Sequence, residues 1–349
     1  MTKTVAGNYF EDFTLGQKLV HATPRTVTEG DVAAYVALYG SRFAINSADT
    51  FAMDQGLPCA PLDDILTFHF VFGKTVPDVS LNAVANLGYA DVQFKARVYP
   101  GDTISSTSEV IGLKQNSNGK TGVVYVRSVG VNQEGEEVLN YVRWVMVNKK
   151  DFDAPAPEEV VPLLPDAVEI GELTIPTGLD FSSYDRALAG SAHGWADYEV
   201  GEKIDHVDGI TMEEAEHMLA TRMYQNTARV HFNQIMQADS RFGRRLIYGG
   251  HIISLARAIS FNGLGNACFV AAINGGAHVA PSFGGDTIFA WSEVLDKAEV
   301  PGHDDMGALR IRTVGTKNQP CTDFPDKGED GKRDASVVLD LDYWVLMPR

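Results

Sequence analysis

Apolar positions along this chain fall into two patterns, and each pattern occurs twice. Residues 103–111, 122–131 and 138–147 are rich in Val, Tyr and Thr and are separated by turn residues, which predicts three β-strands. Residues 287–295, 308–314 and 336–347 repeat that arrangement. Ahead of each set lies a more apolar stretch at helical spacing, residues 61–73 and 250–263. In the second stretch Ile252, Ile253, Leu255, Ala256, Ala258 and Ile259 cover most of the circumference, so that helix is predicted to be buried. Thr26-Val27-Thr28-Glu29 and Thr211-Met212-Glu213-Glu214 read as capping boxes, each opening a further short helix. One buried helix followed by antiparallel strands is an α+β pattern: a curved sheet wrapped around a central helix.

The two sets are copies of one unit. Asp12-Phe13-Thr14-Leu15-Gly16-Gln17-Lys18 is echoed by Asp197-Tyr198-Glu199-Val200-Gly201-Glu202-Lys203. At the same offset of 185 residues Thr26 meets Thr211, Glu29 meets Glu214 and Tyr39 meets Tyr224. Gly101-Asp102-Thr103-Ile104 and Ser108-Glu109-Val110 then match Gly285-Asp286-Thr287-Ile288 and Ser292-Glu293-Val294 at an offset of 184. Register held over so long a span predicts tandem domains, at residues 1–150 and 191–349. Between them, residues 151–190 hold five of the 15 prolines, which predicts an extended linker poor in regular structure.

A chain of 349 residues can build two such cores without disulfides or metal. Its 46 acidic against 29 basic residues give a net charge of −17, a field that repels nucleic acid and requires a local basic patch for any anionic ligand. No apolar window is long enough to cross a membrane, and the first residues lack the apolar run of a signal peptide. Cys59, Cys268 and Cys321 are odd in number and widely spaced, which points to a reduced, cytoplasmic setting.

Most chemical motifs fail on inspection. Gly73-Lys74-Thr75 and Gly119-Lys120-Thr121 end like phosphate loops, but Phe68 and Lys114 stand where the first glycine must be. There is no paired-cysteine or His-Glu-x-x-His zinc pattern, and no cofactor or metal is implied. The acidic segment 326–331 lacks a third calcium ligand and reads as a solvated hairpin loop. Histidine is distributed unequally: His21 and His69 lie in the first copy, and the other seven lie in or just before the second. Acid–base chemistry is therefore expected in the second copy.

There, Tyr224-Gln225-Asn226-Thr227-Ala228-Arg229-Val230-His231-Phe232-Asn233 is followed 18 residues after His231 by Gly249-Gly250-His251. This resembles the MaoC-type (R)-specific enoyl-CoA hydratases, whose motif runs from a Tyr through Gly-Asp-x-Asn-Pro-x-His to a glycine opening the central helix. Gly284-Gly285-Asp286-Thr287 is similar to the family's Pro-Gly-Asp-Thr turn. The resemblance covers nearly the whole chain and implies two tandem hot-dog folds. It is closest to the branch that acts on the thioester of a methyl-branched dicarboxylic acid.

By that resemblance His231 takes the catalytic histidine position, Asn226 the catalytic aspartate position and Gly250 the oxyanion glycine. Arg229, Tyr224 and His251 are the expected substrate contacts, with Arg229 replacing the motif's proline by a cation suited to a carboxylate. An amide cannot act as a base, though its oxygen can orient water. His231 is therefore the sole base, or another group assists: His251 first, Glu293 or Asp286 less readily. In the first copy Ser41 and Asn46 occupy the two catalytic positions, which makes that copy non-catalytic. His278 matches Phe94, and it and the paired Trp144 and Trp344 are expected to pack. Arg244 and Arg245 read as a solvated pair that could meet CoA phosphates. The implied activity is reversible hydration of an acyl-CoA thioester, with a plain-chain (R)-3-hydroxyacyl-CoA dehydratase and a thioesterase or thioester-binding protein as alternatives. Open sheet edges leave a homo-oligomer possible.

Overall fold

The computed structural model describes residues 3–328 and 330–349. Its strands are β1 (Lys18–Thr26), β2 (Ala83–Phe94), β3 (Thr103–Gln115), β4 (Thr121–Val131), β5 (Glu137–Asn148), β6 (Lys203–Thr211), β7 (Phe269–His278), β8 (Thr287–Glu299), β9 (Met306–Lys317) and β10 (Val337–Pro348). They form one antiparallel sheet in the order β1-β3-β4-β5-β2-β7-β10-β9-β8-β6, five strands from each repeat. The six strands read from the sequence are β3 to β5 and β8 to β10. The other four lack a clear alternation. β1 and β6 are mostly exposed edge strands, and β2 and β7 run through the centre of the sheet with long stretches buried on both faces.

Each half-sheet wraps a central helix. The first helix (Asp64–Thr75) is buried at every position, and the second (Gly249–Ile259) at all but its first. One continuous apolar cluster joins them, with Phe68 and Val71 of one helix in the same core as Ile252 and Leu255 of the other. The first capping box lies two residues later than the sequence suggested, and the second is not formed. Thr28 caps the Glu29–Tyr39 helix in exchange with Asp31, whose carboxylate accepts from the Thr28 amide at 2.9 Å. The Glu214–Met223 helix has no side-chain cap. Thr26 and Thr211 end β1 and β6 instead, bonded to Thr103 and Thr287 at 2.8 Å.

A pseudo-twofold axis relates the repeats, and two contacts mark it. Tyr39 and Tyr224, equivalent in the two copies, bond hydroxyl to hydroxyl at 2.8 Å. His69 and Ser254, also 185 residues apart, bond at 2.8 Å. Equivalent residues can touch only close to the axis that relates them. Tyr224 donates to Tyr39, whose hydroxyl is also bonded to His251 Nδ1 at 2.8 Å, so a buried neutral network crosses the seam. His21 and His206 are structural twins. Each bonds a strand hydroxyl, Ser108 at 2.7 Å and Ser292 at 2.8 Å, which bonds Ser128 or Thr313 in turn.

The proline-rich stretch holds only the short helical turns Ile170–Glu172 and Arg186–Ala189, and it is not a free spacer. Val168, Leu179 and Phe181 pack on Phe269, Trp344 and Leu346 across the outer face of the second half-sheet. The Trp344 indole donates to the Val168 carbonyl at 3.1 Å. Trp344 therefore packs beneath the linker and away from the central helix. Trp144, half-buried, stacks on Tyr125 at 6.1 Å. Of the acidic loop, Asp326 is spent on Arg312 at 2.7 Å, and Glu329 lies outside the described residues.

Burial makes the fold sensitive to acid. Desolvation lowers the pKa of His21, His69, His206, His217, His231, His251 and His278, with His206 and His278 pushed down to about 4 and His251 to about 3. In the unfolded chain these rings bind protons near pH 6.5. The stability they confer when neutral is complete above that value and is lost as pH falls toward 4, by about 1.4 kcal/mol per ring per pH unit. The urea midpoint at pH 5.5 is expected well below that at pH 7.5, and equal midpoints would contradict this account.

Candidate active site

The site is built on the way the second central helix begins. Tyr248 occupies its cap position, and no side chain bonds the amides of its first turn. At the equivalent place in the first repeat Asp63 does cap, its carboxylate accepting from the Ile65 amide at 2.9 Å. One repeat has thus filled its helix end with an anion, while the other leaves the positive end of the helix open. The two glycines there are imposed by close approach. A Cβ on Gly249 would meet the His278 ring at 2.5 Å, and one on Gly250 would meet His69 and Tyr248 at 2.5 Å.

His231 lies on the short helix Arg229–Phe232, almost wholly buried. Its Nδ1 donates to the Leu246 carbonyl at 2.8 Å. A carbonyl only accepts, so Nδ1 carries the proton and Nε2 keeps a lone pair. Burial lowers the ring to about pKa 4, partly offset by that backbone bond, so it is neutral at physiological pH. The first repeat makes the equivalent contact with an amide: Asn46 donates to the Pro61 carbonyl, the equivalent of Leu246, at 3.1 Å.

His231, Asn226, Tyr248, Gly249 and His278 line a cavity of about 400 Å³, closed on the other side by Phe72, Tyr89 and Arg143 of the first repeat. Asn226 is buried, and its Oδ1 accepts from the Ala228 amide at 3.0 Å, which fixes the loop and leaves one lone pair and the NH₂ group. Arg229 stands where this cavity meets a second one of about 640 Å³ lined by Lys74, Arg222 and Gln225. Its guanidinium donates to Asn82 Oδ1 at 3.0 Å and to the Ala6 carbonyl at 3.1 Å. Lys74 is buried there, and desolvation lowers it to about 8.

Other expected site residues lie off the wall. Gly249, not Gly250, lines the cavity. Tyr224 is buried beneath it, stacked on His69 with ring centres 4.3 Å apart, and His251 is held in the network below. His217, between the rings of His231 and His251 at 5.6 Å from each, accepts the Tyr248 amide at Nε2 and so fixes the entry to the helix. Asp286 secures its own turn through the Phe283 amide at 2.9 Å, and neither it nor Glu293 reaches the cavity. Arg244 donates to the Gly284 carbonyl at 2.7 Å, and Arg245 pairs with Glu214. His278, read as packing, is on the wall, with Nε2 3.3 Å from the Tyr89 hydroxyl and Nδ1 buried and unbonded. His278, Tyr89 and Arg143 come from central strands and carry no local motif. Among the described residues no group of three or more His, Cys, Asp or Glu could hold a metal.

The chain is similar to known proteins over almost its whole length. The chain is 66% identical over 347 residues to the beta-methylmalyl-CoA dehydratase of Chloroflexus aurantiacus, covering 99% of each. It is 59% identical over 349 residues to the mesaconyl-CoA hydratase of Cereibacter sphaeroides, covering 99% of this chain and all of that one. A solved MaoC domain protein dehydratase from C. aurantiacus superposes with a TM-score of 0.98 at 65% identity over the whole chain and 99% of its own. A Mycobacterium tuberculosis protein described as a double hotdog superposes at 0.75 with 23% identity, covering 99% of each chain, and shares the fold. The mesaconyl-CoA hydratase family profile matches residues 2–325, and the chain belongs to that family.

Proposed function

We propose that this protein interconverts β-methylmalyl-CoA and mesaconyl-CoA by reversible removal of water, with His231 as the acid–base group. The reading rests on full-length relatives of that activity and on one geometric observation. The Nε2 lone pair of a neutral imidazole shares a cavity with the open end of the central helix.

Hydration requires three events. Water loses a proton to Nε2 as its oxygen bonds the alkene carbon β to the thioester. The π electrons move through the α-carbon onto the thioester oxygen, and the first-turn amides at Gly249 stabilise the resulting enolate. The enolate then collapses and the α-carbon takes the proton from Nε2–H, which restores the neutral ring. Dehydration is the reverse. Asn226 orients the water through its amide. The first repeat, with Asp63 in its helix end and Asn46 in place of histidine, is the non-catalytic partner that supplies the opposite wall. The three free cysteines fit a reducing compartment such as the cytoplasm.

His231→Ala is expected to reduce turnover of mesaconyl-CoA about 10³-fold or more, followed as loss of the enoyl-thioester absorbance. Asn226→Ala is expected to lower kcat with little change in KM. Release of free CoA thiol by the wild-type protein would replace the hydratase reading with thioesterase chemistry. The pH profile is a separate check. Because the ring acts when unprotonated and titrates near 4, kcat/KM is expected to be flat from pH 6 to 8 and to fall toward pH 4. This is best read in the first seconds after a pH jump, before acid unfolding intervenes. A fall centred near 6.5 would place the base elsewhere.

A further inference from the structure

We infer that Arg143, from the non-catalytic repeat, binds the free carboxylate of the substrate, with Asn86 beside it, and so sets the preference for dicarboxylic thioesters; this rests on the function proposed above. Arg143 is 0% exposed, and it lines the cavity that holds His231. It sits on β5 opposite Tyr89 of β2, on the face turned toward the central helices. In the second repeat the equivalent position next to the paired tryptophan is Tyr343, a neutral side chain bonded to Thr313. The charge is therefore a property of one repeat and not of the fold.

A buried guanidinium is costly without a counter-charge. Arg97 has Asp64 against it, and Arg257 lies in the field of Asp63 and Asp64. Arg143 has no carboxylate within ion-pair distance among the described residues. Its partners are the hydroxyls of Thr75 at 2.7 Å and Ser80 at 3.4 Å, with the Phe72 ring 4.4 Å away, and its Nε is buried and unbonded. Asp78, on the other side, is committed to His21 at 2.7 Å. Hydroxyls and an aromatic face solvate the cation but do not cancel it. Asn86, on the same wall, has both side-chain polar atoms buried and unbonded. Two unsatisfied groups on one wall of a cavity point to an anionic ligand group that accepts from both.

Substrate chemistry decides between Arg143 and Arg229. In either monothioester of a butenedioic acid the free carboxylate is bonded directly to the alkene carbon that takes up hydroxide. It must therefore lie inside the cavity, near His231. Arg229 stands at the boundary of two cavities, with its two terminal nitrogens tied to Asn82 and Ala6 on the rim. An unbranched enoyl chain would leave Arg143 facing a methyl group with no compensation, so the same residue rejects plain acyl thioesters.

The test compares mesaconyl-CoA with crotonyl-CoA, which lacks the carboxylate, on the wild type and on Arg143→Met. The expected result is a fall in kcat/KM for mesaconyl-CoA of about 100-fold or more, with crotonyl-CoA unchanged or improved. An equal fall for both substrates in a soluble, folded variant would overturn the inference, since a purely structural role lowers both. If Arg143→Met does not fold, Asn86→Asp carries the test: a carboxylate there neutralises the site, so only mesaconyl-CoA is expected to suffer. Equal effects on the two substrates would again overturn it. A wild type inert toward mesaconyl-CoA would instead remove the proposed function itself.

Discussion

Exclusion of water from the seam between the repeats is the condition on which the rest of this molecule depends. The two central helices, β2 and β7 meet there in one apolar core, and polar groups in it survive only by bonding one another. Tyr224, Tyr39 and His251 do so, as do His69, Ser254 and Tyr35. All are neutral, so the network carries no charge to desolvate. Against that neutral background, a lone pair on His231, an uncapped helix end and an arginine without a counter-ion exert their full effect, because little solvent is present to screen them.

Gene duplication explains how such a site could arise without dismantling the fold. Both repeats keep the loop carbonyl that holds the side chain at the His231 position, Pro61 in one and Leu246 in the other. Both keep the helix end as well. What differs is the occupant. Asn46 and Asp63 satisfy the equivalent backbone groups with fixed side chains. His231 and the Gly249-Gly250 pair satisfy one carbonyl and leave the amides free. On the function proposed above, the first repeat fills with fixed side chains the positions that the second uses for chemistry, and its own side chains become the far wall of the second repeat's cavity.

The sequence discloses most where local rules operate. Alternating apolar runs locate six strands, and residue-for-residue matches at an offset of 185 and then 184 expose the duplication. His231 and Asn226 are legible because a motif holds them a few residues apart. The glycine on the cavity wall is one residue earlier than the motif suggests, since Gly249 and Gly250 are adjacent and only packing against His278, His69 and Tyr248 tells them apart. Tyr224 and His251 flank the motif closely enough to be read as substrate contacts, yet helix rotation turns both into the core. Arg143 and His278 are not legible at all. They reach the cavity from β5 and β7, and only the pairing of β2 with β7 across the seam brings them together.

The amide at Asn226 becomes intelligible once charge is counted. A carboxylate at that position would stand within a few ångströms of the carbon that takes up water, and in mesaconyl-CoA that carbon already bears a carboxylate. At 4 Å, two such anions repel by about 4 kcal/mol even at an effective dielectric of 20. A plain enoyl thioester brings no such charge, so a carboxylate can serve as base for it without penalty. For a dicarboxylic substrate an amide keeps the hydrogen bonds that hold the water and removes the repulsion. On the function proposed above, the proton chemistry then falls to His231, whose neutral ring repels nothing. The replacement that looks like a loss of function in the motif is what a carboxylate next to the reacting carbon demands.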